Sequence, residues 1–152
     1  MNDNVSKYLN QQVMTASPAK LVSMLYDRAI MSLKDAVSAI EAGEIERRWK
    51  ANARAIEIIG HMWSTLDREK GGEIAANLDS LFSYMLGRLP QVDFQNDPAP
   101  AQEVIELLKP LAQSWRDVAE GRAARPDGTL PAPAPAMPPQ PQSPGVRTSF
   151  SA

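Results

Sequence analysis

The chain has 152 residues, with 16 Lys and Arg against 18 Asp and Glu, one His and no Cys. That length suits one domain with a proper core and is short for two. Without cysteine there is no disulfide, thiolate metal site or cysteine nucleophile, and a formal net charge of −2 with interspersed signs leaves no electrostatic footprint for nucleic acid. The opening stretch MNDNVSKYLNQQV lacks an apolar run of signal-peptide length. Nothing later approaches the roughly 20 apolar residues of a membrane span. The expectation is a cytosolic chain without membrane insertion.

In chain order, Ser17-Pro18 is a helix start. A serine there can accept a bond from an orphan amide, and proline at the first helical position gives up no bond it needed. Leu21, Leu25, Ala29, Leu33, Ala36 and Ile40 follow at spacings of three and four, and Gly43 supplies a left-handed end. A second helix is expected from about Glu44 to Arg68, nearly 40 Å at about 1.5 Å per residue. Glu69-Lys70-Gly71-Gly72 turns the chain. The third helix carries Ile74, Leu78, Leu81, Met85 and Leu89 and stops before Pro90. PQVDFQNDPAP reads as an irregular loop. The fourth helix carries Ala101, Val104, Leu108, Leu111, Trp115 and Val118 and ends at Gly121, with Pro110 expected to kink it or to split it in two.

No β-branched alternation occurs, so the fold class is all-α: an antiparallel four-helix bundle with short connections. Eight of the 13 prolines lie after residue 125. That segment carries no helical or strand period and too little apolar surface to offset its ordering. The expected organisation is an N-terminal segment 1–16, a bundle 17–121, and a flexible Pro/Ala-rich tail 122–152 that reads more readily as a spacer than as a docking tail.

The apolar surface exceeds what a bundle helix needs, which is one stripe somewhat over 100° wide. Helix two has Ile45, Trp49, Ile56, Ile59, Trp63 and Leu66 as its core stripe, and a second stripe of Ala51, Ala55, Ile58 and Met62. Its outer face is left to Glu46, Arg47, Lys50, Arg54, Glu57 and His61. Helix three adds Ala75, Phe82, Leu86 and Tyr84 to its core set. Two readings stay open here. The surplus widens the core or lies under the N-terminal segment; or it forms a groove for an amphipathic partner helix.

Chemistry finds little support. His61 is the one histidine, and Ser64 and Thr65 stand where a histidine phosphotransfer helix would carry lysine and glycine. Ile58 occupies the acid position of a Glu-x-x-His metal motif. Ser17 lacks a base and an orienting partner, and no phosphate-cradling glycine motif is present. No cofactor, no metal and no catalytic role are expected.

Tyr8, then Val13-Met14-Thr15-Ala16-Ser17-Pro18, Leu21 and Met24-Leu25-Tyr26-Asp27 resemble the opening of the flagellar secretion chaperone family FliS. Glu46-Arg47-Arg48, Ala55 with Ile58-Ile59, and Leu66-Asp67 continue the likeness along helix two. So do Asn77-Leu78, Leu81 to Met85 and Arg88-Leu89 in helix three, then Asn96-Asp97, Glu103-Val104 and Trp115. Phe82 replaces the family's usual tyrosine, Trp49 and Asn52 interrupt a stretch that is normally more regular, and Pro110 and the long tail are particular to this chain.

The resemblance implies a cytosolic export chaperone that binds the disordered C-terminal segment of flagellin, prevents early polymerisation and helps deliver it to the flagellar type III export gate. It also implies an N-terminal cap over the groove that the client displaces. Tyr8 and Val13 are then cap residues, Tyr8 by motif match. Ala51, Ala55, Ile58, Met62, Leu81, Phe82, Tyr84 and Met85 are the stripe residues expected to meet the partner. Self-association into a homodimer could hide such a groove. The alternative is a bundle-type adaptor or regulator of flagellar assembly with another client, held through the Pro-rich tail.

Overall fold

The computed structural model describes residues 4–7 and 16–122. The expected cap positions Tyr8 and Val13, and the tail from residue 123, lie outside them. Residues 4–7 are helical and exposed. Five further helices follow: α1 (Pro18–Ala42), α2 (Ile45–Ser64), α3 (Gly72–Arg88), α4 (Pro90–Gln95) and α5 (Ala99–Ala119). Among the described residues there is no strand. The four long helices form the bundle, and α4 closes one end of it.

Local signals set the boundaries. The Ser17 Oγ accepts the Lys20 amide at 3.2 Å, and Pro18 opens α1. At its other end Gly43 sits at φ 73°, where the Gly43 and Glu44 amides bond back to the carbonyls of Ile40 and Ala39. α2 stops at Ser64, short of the expected Arg68, because Asp67 turns the chain by accepting the Lys70 amide at 3.0 Å. Gly71 follows where a Cβ would lie 2.5 Å from that of Ala75, so the turn closes tightly on α3.

Two expectations about the second half need correction. PQVDFQNDPAP is not wholly irregular: Pro90 opens the short helix α4, anchored by the fully buried Leu89 and Val92. Asn96, at φ 50°, ends it. Proline suits a first helical turn, and the apolar spacing of three fixes that turn on the core. Pro110 does not divide α5, which runs unbroken from Ala99 to Ala119 because Leu108, Leu111 and Ala112 on either side of it are fully buried.

The larger correction concerns the face that α2 turns inward. α1 lies close along both α2 and α5, whereas α3 meets its neighbours through longer side chains, with Leu78, Leu81, Phe82 and Met85 inside. The short turn at Gly43 and the Arg47–Asp35 ion pair at 2.6 Å hold α1 and α2 side by side, with Ala36 and Ala39 of α1 and Ala51 and Ala55 of α2 turned inward. All four are essentially fully buried. Alanines let two helix backbones approach closely, and tryptophan on that face would hold them apart. α2 therefore buries Ala51, Ala55, Ile59 and Met62, and leaves Ile45 66%, Trp49 56% and Trp63 36% exposed. Ala51, Ala55 and Met62 of the stripe expected to be surplus are core, whereas Ile45, Trp49 and Trp63, three of the six residues expected in the core, lie outside; Ile59 is buried as expected.

Ala55→Leu should overpack this contact and destabilise the fold by about 1–3 kcal/mol. Urea unfolding would show a lower midpoint with an unchanged slope. A midpoint equal to that of the parent would mean the α1–α2 approach is loose.

Candidate functional site

Ile45, Trp49, Ile56 and Trp63 recur at spacings of four and seven, so they share one face of α2. Trp63 fixes which face: its indole N–H donates to Asp79 of α3 at 2.6 Å. Arg68 pairs with the same Asp79 oxygen at 2.7 Å, and its guanidinium lies 5.9 Å from the Trp63 ring centre. Bonds from Arg68 first, and from Trp63, hold the Asp79 carboxyl below the ordinary aspartate range. The apolar strip thus runs along the α3 shoulder of α2 for about 27 Å at 1.5 Å per residue. That length matches roughly five turns of a partner helix.

The other end of the strip is set by α4. Arg48, buried beside the exposed Trp49, donates to Asp93 at 2.9 Å and to Asn96 at 2.6 Å. Asn52, one turn on and fully buried, donates from Nδ2 to the Leu89 carbonyl at 2.9 Å and to Asp93 at 3.0 Å. These bonds pull α4 onto α2 and leave its Phe94 80% exposed at the end where Ile45 and Trp49 emerge. The buried Arg48 is acceptable because its charge is paired and its donors are used.

Beside the far end of the strip, where α2 stops and α3 begins, lies a cavity of about 390 Å³. Val22, Leu25 and Tyr26 line it from α1, Met62 and Leu66 from α2 and its end, Ile74, Leu78 and Phe82 from α3, and Trp115 from α5. Tyr26 and Phe82 stand ring to ring at 6.4 Å and 38°. Burial pushes the Tyr26 hydroxyl well above its usual range, partly opposed by the hydrogen bond it makes with Trp115. Tyr26 is therefore neutral at any physiological pH. A cavity walled this way selects for apolar bulk.

Most residues expected at a partner surface are elsewhere. Ala51, Ala55, Leu81 and Met85 are between 0% and 3% exposed and belong to the core. Met62 and Phe82 are equally enclosed but face the cavity. Ile58 is half-buried against the core. Tyr84 is 41% exposed, and its hydroxyl donates to Glu103 of α5 at 2.7 Å beside Arg88, which donates to the same carboxylate at 2.8 Å. Burial raises the Glu103 carboxyl, but the bonds from Arg88 and Tyr84 outweigh it and leave the group below its ordinary value. Sequence reasoning missed Trp49, Trp63 and Phe94 as surface groups. The available signal was Arg48 and Asn52 one turn apart, a polar pair that needs partners such as Asp93 and Asn96.

The described residues thus form an all-helical bundle with an apolar strip along one shoulder and an apolar recess at one end. The sequence profile of the flagellar protein FliS matches residues 1–122. The chain is 41% identical over 107 residues to the flagellar secretion chaperone FliS of Salmonella typhimurium, which covers 70% of this chain and 79% of that one. It is 34% identical over 110 residues to FliS of Vibrio cholerae, covering 72% and 81%. To the flagellar secretion chaperone FliSB of Pseudomonas aeruginosa it is 36% identical over 107 residues, covering 70% and 85%. The chain belongs to the FliS family of flagellar secretion chaperones. No helix among the described residues is long and apolar enough to cross a membrane.

Asp93→Ala should cost about 3 kcal/mol, since it strands a buried guanidinium. Pairing it with Arg48→Met should recover much of the loss in thermal melts, and a double variant no more stable than Asp93→Ala would refute the pairing. The Asp79 carboxylate favours the native state above the usual aspartate range, and that contribution fades as pH falls through its depressed value. The Trp63 indole N–H resonance should follow this titration with a midpoint below 3.8. A midpoint at or above 3.8 would show that the Trp63–Asp79–Arg68 contact is not made in solution.

Proposed function

We propose that this chain is a cytosolic export chaperone that binds the C-terminal segment of flagellin, keeps it from polymerising and passes it to the flagellar type III export gate. The observation that carries the reading is the strip of exposed Ile45, Trp49 and Trp63 with the half-buried Ile56 between them, which ends beside the apolar end cavity. An amphipathic client helix can lay its apolar face along the strip. Its last bulky residue then reaches the aromatic walls of the cavity. Met62 and Phe82 meet the client from inside the cavity, while Ile58 and Tyr84 lie away from the strip, Ile58 against the core and Tyr84 beside Glu103 of α5. Ala51, Ala55, Leu81 and Met85 support this surface from the core.

The action is binding without a chemical step. A client that folds on binding gives up several kcal/mol of contact energy to ordering, so the surface has to be long and apolar. Tyr8 and Val13 serve as cap residues of the N-terminal segment, which the client displaces. The apparent affinity then falls by the fraction of time the cap is open. A homodimer that paired two strips would lower it further.

A peptide of the flagellin C-terminal segment should bind one to one and gain helix by circular dichroism. Trp49→Ser should weaken binding about tenfold or more at an unchanged melting temperature, as expected for a central aromatic anchor. His61→Ala, on the charged outer face, should bind like the parent. No binding at about 50 μM peptide, a weak affinity on any scale, would sink the proposal.

A further inference from the structure

A solvent-open recess of about 390 Å³ lies between the ends of α1, α2, α3 and α5, and its lining is almost wholly apolar. Its walls are the faces of Tyr26, Phe82 and Trp115 among aliphatic side chains, and Asp67 is the one charged residue lining it. Aromatic-lined recesses of this kind suit extended proline-rich segments, because proline ring and aromatic face pack flat. Proline also fixes φ in advance, so little freedom is lost on docking.

This chain carries such a segment beyond the end of α5 that borders the cavity. Residues 130–141 read LPAPAPAMPPQP, with no charged residue and a proline at every second position from Pro131 to Pro135. The family profile stops at residue 122, so the segment belongs to the part of the chain outside the family match. The chain leaves α5 turned back on itself. Gly121 sits at φ 75°, the Arg122 amide bonds to the Asp117 carbonyl at 3.0 Å, and the Arg122 guanidinium pairs with the Asp117 carboxylate at 2.8 Å. Arg122 is seven residues past the cavity residue Trp115, or about 10 Å of helix. The connecting residues 123–129 can span up to about 25 Å when extended. A tether this short gives an effective concentration in the millimolar range, so even a weak contact is populated.

We propose that the segment Leu130–Pro141 docks into the end cavity of its own chain and acts there as a built-in competitor of the client. The competition, though not the docking, rests on the client reading given above.

The absence of cysteine makes the test direct, because one introduced thiol is unique. In the full chain, a nitroxide on Ser143→Cys, two residues past the segment, should broaden the NMR signals of Val22, Leu25 and the Trp115 indole. The loss should be several-fold greater than at the Trp49 indole on the far end of the bundle. Adding Met137→Asp, which puts a charge into the docking segment, should abolish the difference while the folded spectrum persists. Equal broadening at both ends overturns the docking. So does broadening that grows with protein concentration, since the tail of a second copy would then be the occupant. Cavity broadening from Ser6→Cys but none from Ser143→Cys would assign the cavity to the N-terminal segment and also overturn it. Flagellin C-terminal peptide should relieve the broadening. Docking that persists while bound peptide leaves it untouched overturns the competition alone.

Discussion

The close approach of α1 to α2 governs the rest of the molecule. Small residues on both helices, Ala36 and Ala39 on α1 and Ala51 and Ala55 on α2, are essentially fully buried and allow the two backbones to come together. An alanine-lined contact gives little area per residue, but it fixes rotation tightly because no bulkier side chain can be turned into it. Once α2 is set by this contact, Arg48 and Asn52 fall on the inward face and Trp49 and Trp63 on the outward shoulder. The polar pair then needs partners, and the short helix and its ends supply them: Asp93 within α4, the Leu89 carbonyl before it and Asn96 after it. Packing of small residues on one side of the bundle thus decides both the latch on the other side and the exposed strip.

Much of the architecture was legible in the sequence because it rests on local chemistry. Ser17 caps α1, Pro18 opens it and Gly43 ends it in the left-handed region, each for the reason its residue type suggests. Helix identities and the antiparallel order followed from spacing and short connections. The face of α2 was not legible. A reading that places the bulkiest apolar residues inside assigns Ile45, Trp49 and Trp63 to the core, and by volume alone that is the better guess. It fails because helix–helix distance is a property of a pair, and the alanines of α1 and α2 only acquire meaning when set against each other. α4 was missed for a related reason. Pro90 and Asn96 look like loop punctuation, and only the burial of Leu89 and Val92 makes one helical turn worthwhile between them.

The candidate surface shows the same division. The expected partner residues were drawn from the stripe that turned out to be core, yet the inference that α2 carries more apolar surface than a bundle requires was sound. Two stripes were present; Ile45, Trp49 and Trp63 of one face outward, while Ile59 of the same stripe is buried. The Trp63–Asp79–Arg68 cluster flanks the strip with an exposed ion pair, which contributes little stability by itself. Its effect is geometric: it holds the Trp63 indole at the shoulder of α2. Rigid aromatic groups lose little entropy on binding, which favours affinity for a segment that must itself become ordered.

Everything exchangeable about the site gathers at one end of the bundle. The chain enters α1 there through Ser17, turns from α2 to α3 at Gly71, and leaves α5 at Gly121 within about two turns of Trp115. The opposite end is closed by α4 and held by the Arg48 bonds. On the proposed reading, a segment entering the cavity from either terminus would meet the client where the client's last contacts form, and would leave the long strip free for first contact. Such an arrangement would separate encounter from completion: the strip would hold a client while the cavity is still filled, and full affinity would wait on displacement. A tethered competitor does not weaken on dilution, so the strength of client binding would then depend on the tail as well as on the surface, and tail composition could tune it without altering a single residue of the bundle.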